Sequence, residues 1–271
     1  MTSILLAILV LGVLGGIFGA ILAFASQIFH VEVDPKQEAI RSCLAGANCG
    51  GCGYPGCDGY AAAVAAGEAP TNRCVAGGAE AAEHIARIMG VDAGAAEKMV
   101  AFVPCSGTEG HAEMRFNYSG PVDCRAAMLF GGKSNKTCTF ACIGLGNCVK
   151  VCQFDAMHIV DGVAKVDRSK CVGCGACADT CPKSIIKMIP ESQKVIPACG
   201  NKDKGAKVMK MCDFGCIGCM KCQRECPAEA IKIENFVSTI DYDKCVGCGH
   251  CSDICPRGIL LYQADSVKAA Q

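Results

Sequence analysis

Three stretches of the chain repeat one spacing of cysteines, and that spacing limits what the chain can fold into more than any other feature. Cys171-x2-Cys174-x2-Cys177-x3-Cys181-Pro182 recurs as Cys216-x2-Cys219-x2-Cys222-x3-Cys226-Pro227 and as Cys245-x2-Cys248-x2-Cys251-x3-Cys255-Pro256. Such spacing lets one tight loop converge three thiolates on the corner of an iron–sulfur cubane, while the fourth cysteine reaches the neighbouring cluster. Gly173, Gly175 and Gly247 keep side chains out of the loops. A zinc site would use two C-x2-C pairs set well apart around one ion, and contiguous C-x2-C-x2-C knots are poor disulfide geometry. The runs therefore specify iron–sulfur clusters. With 25 Cys, 32 Gly and no Trp in 271 residues, the chain suits several small units tied together by metal better than one conventional core. Lys plus Arg and Asp plus Glu are 26 each, which argues against a general nucleic-acid binder.

The repeat carries a flaw. Cys148, Cys152 and the run from 171 to 181 recur 74 residues later, at 222, 226 and 245 to 255. This register exposes a fourth copy, Cys142-Ile143-Gly144-Leu145-Gly146-Asn147-Cys148-x3-Cys152, in which Leu145 stands where Cys219 is a ligand. Cys138, four residues before Cys142, is the expected replacement, and its counterpart is Cys212. Either Cys138 completes a [4Fe-4S] cluster, or the site keeps three cysteines and holds a [3Fe-4S] cluster. Crossed ligation then groups Cys138, Cys142, Cys148 and Cys181, with Cys152, Cys171, Cys174 and Cys177 beside them. In the second copy it groups Cys216, Cys219, Cys222 and Cys255, then Cys226, Cys245, Cys248 and Cys251. Gln153 follows Cys152 where the other runs have Pro, so that crossing rests on spacing alone.

Between the runs, Met157–Val160 and Val163–Val166 flank Asp161-Gly162, a two-residue hairpin signal. Ile231–Glu234 and Ser238–Asp241 repeat it, and Ile185–Met188 and Ile259–Tyr262 read as the strands that close each unit. Upstream, Cys49-x2-Cys52-x4-Cys57 is followed, after sixteen intervening residues, by Cys74. Gly50, Gly51, Gly53 and Gly56 make that loop flexible enough to wrap a cluster. Zinc remains open there, since the spacing is not diagnostic; four other clusters in the chain make a fifth the economical reading. Tyr60–Ala66 reads as a short helix, and Ala79–Met89 and Ala95–Phe102 as helices covering the set. Five cysteines are left: Cys43, Cys105, Cys124, Cys199 and Cys212. They are either buried structural thiols or, for the last four, a further metal or redox site between the modules.

Ile4–Phe24 contains no charged side chain, and the first charge is Glu32. About 20 apolar residues span a bilayer, so the stretch reads as a transmembrane helix. A cleaved signal peptide would need a basic leading segment, and Met1–Leu5 has no Lys or Arg. The expected architecture is α+β: a transmembrane helix at 1–30, a small helical iron–sulfur domain at 31–104 and a connector at 105–136. Two tandem ferredoxin-like dicluster modules follow at 137–196 and 213–265, joined by a basic linker at 197–212 and ending in a tail at 266–271. Lys202, Lys204, Lys207 and Lys210, with Lys221 and Arg224, form a basic patch. It either steers an acidic redox protein or balances cluster charge on a solvated surface. No phosphate-binding glycine loop or nucleophile–base pair is evident, so no catalytic residue is assigned on this chain.

A lone N-terminal membrane helix, the Cys49/Cys52/Cys57/Cys74 set and two tandem dicluster modules, the first degenerate, occur in that order. That order resembles the B subunits of the Rnf-type ion-translocating ferredoxin:NAD oxidoreductases, over essentially the whole chain. The resemblance implies about five [4Fe-4S] clusters on the cysteines named above, reduced ferredoxin as electron donor and partner subunits in a membrane complex. It also implies a location in the cell membrane with the bulk of the chain on the cytoplasmic side, and NAD reduction coupled to Na+ or H+ transport by the assembly. A subunit of another membrane redox complex, hydrogenase-linked or regulator-reducing, is the alternative. The expected route enters at the second module and leaves through the Cys49–Cys74 set, which is tethered closest to the membrane helix.

Overall fold

The computed structural model describes residues 2–28, 34–94, 97–131 and 134–263, with the side chains of residues 2–8, 26–28, 130 and 131 outside the description. The tail at 266–271 and Ala95 and Ala96 therefore lie outside it too. Helix α1 (Thr2–Ile28) contains no charged residue, and Leu9, Leu11, Phe18, Leu22 and Phe24 on it are all exposed. Its described side chains run from 9 to 25. Among the described residues no helix is long and apolar enough to cross a membrane.

Three helices follow: α2 (Pro35–Cys43), α3 (Gly56–Ala65) and α4 (Gly78–Met89). Asp34 starts α2 by accepting the Lys36 amide at 2.8 Å, with Pro35 at the first helical position, where its missing N–H costs nothing. Gly90, in the left-handed region at φ 68°, stops α4. Ile40, Tyr60, Val64 and Ile85 make the small core between them. Cys43 packs at its edge and donates to the Ala39 carbonyl at 3.3 Å, within its own helix.

The rest of the chain is two copies of one unit. The first contains β1 (Met99–Phe102), α5 (Cys124–Gly131), α6 (Asn147–Lys150), β2 (Met157–Val160), β3 (Val163–Val166), α7 (Ala176–Thr180) and β4 (Lys187–Pro190). The second contains β5 (Val195–Pro197), α8 (Gly205–Val208), α9 (Lys221–Arg224), β6 (Ile231–Glu234), β7 (Val237–Ile240), α10 (His250–Ile254) and β8 (Leu260–Tyr262). Each unit carries two antiparallel ribbons, β2–β3 with β1–β4 and β6–β7 with β5–β8.

Sequence expectations shift in places, and the strand expected at Ile185–Met188 lies two residues later, at Lys187–Pro190. Met99–Phe102, expected within a helix, is a strand: Val100 and Ala101 are buried and pair with Ile189 and Met188. A helix there would leave the β4 edge without its ladder partners. The segment expected to finish the N-terminal domain thus forms a sheet with the first module. The second hairpin is one residue earlier than expected on its return side. Its turn is Asn235-Phe236, with both residues at positive φ, 51° and 65°, as a tight two-residue hairpin turn requires.

Candidate metal centres

The left-handed backbone of the cysteine loops is what turns their sulfurs inward. Gly144 and Gly173 have φ of 85° and 76°. A Cβ on Gly144 would run into the Gly162 carbonyl, and one on Gly173 into the Met99 carbonyl, so glycine is required for the loops to seat against their ribbons. The short helices α6, α7, α9 and α10 start immediately after such turns and aim the third cysteine of each run, Cys148, Cys177, Cys222 and Cys251, into the interior.

Around these loops the cysteines stand in fours. Cys49, Cys52, Cys57 and Cys74 line one cavity; Cys152, Cys171, Cys174 and Cys177 a second; and Cys216, Cys219, Cys222 and Cys255 a third. Cys226, Cys245 and Cys248 lie close enough to Cys251 for their charges to raise its thiol. Among the described residues no group of three or more His, Cys, Asp or Glu could hold a single metal ion. The sets surround spaces of roughly 310 to 390 Å3, mouths included.

The flawed copy departs from expectation. Cys142, Cys148 and Cys181 share their cavity with Cys124, the first residue of α5, and Cys138 does not line it. Cys124 is held there by Asn147, whose Oδ1 accepts the Cys124 amide at 2.8 Å and whose Nδ2 donates to Asp123 at 2.9 Å. Cys138 stands instead at a separate cavity with Cys105, Cys199 and Cys212. The signal for Cys124 lay in the repeat itself. Cys105 precedes Cys138 by 33 residues and Cys199 precedes Cys212 by 13, so the first copy holds an insertion. That insertion carries Cys124 to the place vacated at Leu145.

The N-terminal cavity is braced from behind. Asn48 accepts the Cys57 amide at 2.8 Å. The buried Tyr60 hydroxyl donates to the Pro70 carbonyl at 2.8 Å and accepts the Arg73 amide at 3.1 Å, which fixes the segment leading into Cys74. Burial, above all, raises the Tyr60 phenol above its ordinary value.

Electrostatically, the sets are costly without a metal. Burial first, and then Cys142 and Cys124, pushes the Cys148 thiol up to about 12. Burial and the Cys171 and Cys174 sulfurs do the same to Cys177, also to about 12. Cys222 and Cys251 rise to about 11 for the same two reasons. Four buried thiolates side by side need a cationic core among them, and coordination to iron deprotonates a thiol outright. Backbone amides already point at the sulfurs: Ala101 N–H donates to Cys171 Sγ and Ala156 N–H to Cys152 Sγ, both at 3.3 Å.

Several neighbouring sets also touch. A Cβ on Gly51, in the Cys49–Cys52 loop, would come within 2.9 Å of the Cys174 Cα, and Cys49 raises the Cys174 thiol through space. Cys177 and Cys181 both act on Cys148, and Cys251 and Cys255 both act on Cys222. Exposure is greatest at the far end, where Cys219 and Cys248 are the exposed cysteines.

Known families and proteins are similar to this chain in sequence. Residues 44–76 match a family model described as a putative Fe-S cluster. Residues 215–260 match one 4Fe-4S dicluster domain, and residues 141–185 and 170–230 match another. The B subunit of a Na(+)-translocating ferredoxin:NAD(+) oxidoreductase complex from Acetobacterium woodii is 49% identical over 261 residues, 96% of this chain and 78% of the relative. The B subunit of an ion-translocating oxidoreductase complex from Methanosarcina acetivorans is 40% identical over 95% of this chain and 98% of its own length. The B subunit of a proton-translocating ferredoxin:NAD(+) oxidoreductase complex from Clostridium ljungdahlii is 39% identical over 96% of this chain and 93% of its own.

Proposed function

The chain belongs to the B subunits of the ion-translocating ferredoxin:NAD oxidoreductase complexes, iron–sulfur electron-transfer subunits of that machinery, and we propose that its cysteine sets hold [4Fe-4S] clusters in a fixed series from the second module to the N-terminal domain. The donor sets fit the group: four cysteines to a cavity in four of the sets, amides donating to sulfur, and glycine loops that leave room for a cubane. In this reading one cluster is held by Cys49, Cys52, Cys57 and Cys74, and the next by Cys152, Cys171, Cys174 and Cys177. Cys142, Cys148 and Cys181 hold a third with Cys124 as the fourth ligand. Cys216, Cys219, Cys222 and Cys255 hold a fourth, and Cys226, Cys245, Cys248 and Cys251 a fifth. When bound, each cluster takes up and returns a single electron.

The observation that carries the route is the contact between the Gly51 loop and Cys174, which sets the N-terminal cavity against the first module. In the second module, Cys219 and Met220 are exposed, and Lys202, Lys204, Lys207, Lys210, Lys221 and Arg224 are exposed on the segments around them. Lys207 is paired with Asp203 at 2.9 Å, and the net positive rim that remains suits an acidic donor such as reduced ferredoxin. Helix α1, without a charged side chain from Thr2 to Ile28, would anchor the chain in the membrane, with the cluster-bearing part on the cytoplasmic side. The relatives are named for both Na+ and proton translocation, so either ion suits the assembly.

The test is anaerobic capture of the tagged full-length chain from native membranes, followed by assay of ferredoxin-dependent NAD reduction. Activity co-purifying with flavin-bearing membrane subunits is expected. An iron-replete capture without that activity would assign the wire to another acceptor. Exchange of Lys221 and Arg224 for Glu should slow reduction of the chain by ferredoxin and weaken the salt dependence of that rate. Unchanged rates would remove the basic rim from the route.

A further inference from the structure

One cavity remains outside that series, at the junction of the two repeats. It is lined by Cys105 and Cys138 from the first copy and by Cys199 and Cys212 from the second. Phe140 and Phe214, equivalent by the 74-residue repeat, close its sides. Cys105 and Cys199 face each other as an antiparallel bridge, each just beyond the strand, β1 or β5, that its copy contributes. Cys105, Cys138 and Cys199 are buried, and Cys212 is half-buried. A Cβ on Gly107 would stand 3.5 Å from Cys212 Sγ and 3.8 Å from Cys105 Sγ, so a larger residue there would crowd two of the four sulfurs.

We propose that Cys105, Cys138, Cys199 and Cys212 hold a further [4Fe-4S] cluster, in a cavity that joins the two modules. The inference rests on the reading of the other sets as cubane sites. Buried donors are aimed at these sulfurs as they would be at thiolates. The Cys199 sulfur accepts the Cys216 amide at 3.3 Å and the Asn201 amide at 3.5 Å. The Cys105 sulfur accepts the Cys142 amide at 3.4 Å. Asn201, 3% exposed, donates its side-chain Nδ2 to Cys138 Sγ at 3.2 Å, while its Oδ1 accepts the Asp203 amide at 2.7 Å. A neutral thiol is a weak acceptor; amide donors around buried cysteines are the surroundings that stabilise a cluster. Two cations flank the site at equivalent positions: Lys183 Nζ donates to the Thr139 carbonyl and Arg257 to the Cys212 carbonyl.

The place of the cavity gives it a role. Cys142 and Cys216 are the opening cysteines of their modules, and each donates its amide to a sulfur of this set. The cavity therefore continues the series between the Cys124/Cys142/Cys148/Cys181 set and the Cys216/Cys219/Cys222/Cys255 set, making one unbranched line of six.

The test counts iron and acid-labile sulfide on the full-length chain purified anaerobically, with native mass spectrometry of the unmutated protein as a mutation-free check. Six cubanes give about 24 iron and 24 sulfide per chain, and the Cys199→Ala/Cys212→Ala double variant should fall to about 20 of each. Cys43→Ala should leave the count unchanged. Cys216→Ala/Cys219→Ala supplies the comparison: if it loses about four irons while Cys199→Ala/Cys212→Ala loses none, this site alone is overturned. If neither loses iron, the reading of the other sets fails with it. A zinc ion or a Cys105–Cys199 disulfide in the unmutated protein, or a native mass fitting five clusters, also overturns it.

Discussion

The sharpest consequence of the structure is a rescue experiment on the flawed copy. Cys124→Ala removes one of the four sulfurs around the cavity shared with Cys142, Cys148 and Cys181. The Asn147 bond to residue 124 uses the backbone amide and survives the change, so the segment keeps its place. The variant should lose about four irons per chain, or one if a three-iron cluster persists. Adding Leu145→Cys should restore the loss, because residue 145 occupies the position at which Cys219 lines the equivalent cavity. The cost of that second change can be worked out. Leu145 is half-buried against Cys124, Ala127 and Ile143, and trading it for Cys exchanges three carbons for one sulfur, a net loss of two heavy atoms at about 0.8 kcal/mol each when fully buried, so about 1 kcal/mol here. That is small beside the roughly 5–15 kcal/mol of a folded domain, and the double variant should fold. Iron and sulfide analysis with EPR of the reduced protein reads the result. Cys138→Ala should also lose iron, from the junction cavity, but Leu145→Cys should not restore it. If Leu145→Cys rescued Cys138→Ala and left Cys124→Ala deficient, the assignment of Cys124 would be wrong.

Four further outcomes follow from the same geometry. Asn147→Leu leaves the buried Cys124 amide without its acceptor, a cost of about 1–3 kcal/mol, and should deplete the same cluster selectively; an unchanged EPR spectrum would contradict it. Tyr60→Phe strips the partner from the Pro70 carbonyl and the Arg73 amide and should destabilise the N-terminal domain by about 2–4 kcal/mol, measured by urea unfolding. The Tyr60 phenol is raised by burial, so the stabilisation it gives is complete below about pH 10, the unfolded value, and is lost as pH climbs through the folded one. Wild-type stability should therefore drop above pH 10 by more than that of Tyr60→Phe, and parallel curves would refute the point. Lys183→Met takes a cation from beside Cys138 and Cys142, whose charges act on it, and should lower a midpoint potential by on the order of 100 mV, read by redox titration. A potential that rose would reverse the electrostatic argument.

The spacing of the cysteine runs and the Asp161-Gly162 turn were legible because both are local: each forms its structure from neighbouring residues. Leu145 was visible as a gap for the same reason. Its filler was harder to see: the insertion that carries Cys124 shows only when the two copies are aligned back to Cys105 and Cys199, and the hydrogen bond to Asn147 that seats it is encoded by no spacing rule. Cys138 looked like the replacement because sequence distance was the only measure of nearness. β1 was misread because Glu97 and Lys98 beside two alanines favour a helix, whereas the strand is decided by pairing with β4 far along the chain. The cysteines left over as spares stayed ambiguous, since their nearness depends on how two copies meet.

That meeting has a mechanical consequence. Cys105 and Cys138 lie on one copy and Cys199 and Cys212 on the other, with Arg257 reaching back to the Cys212 carbonyl. A metal core bonded to all four would act as a rivet through the seam. Neither half could then swing away without breaking bonds to iron, so this part of the molecule would behave as a rigid bar. Any swinging needed to bring distant partners together would have to occur elsewhere in the assembly, and neither half produced alone would hold the rivet.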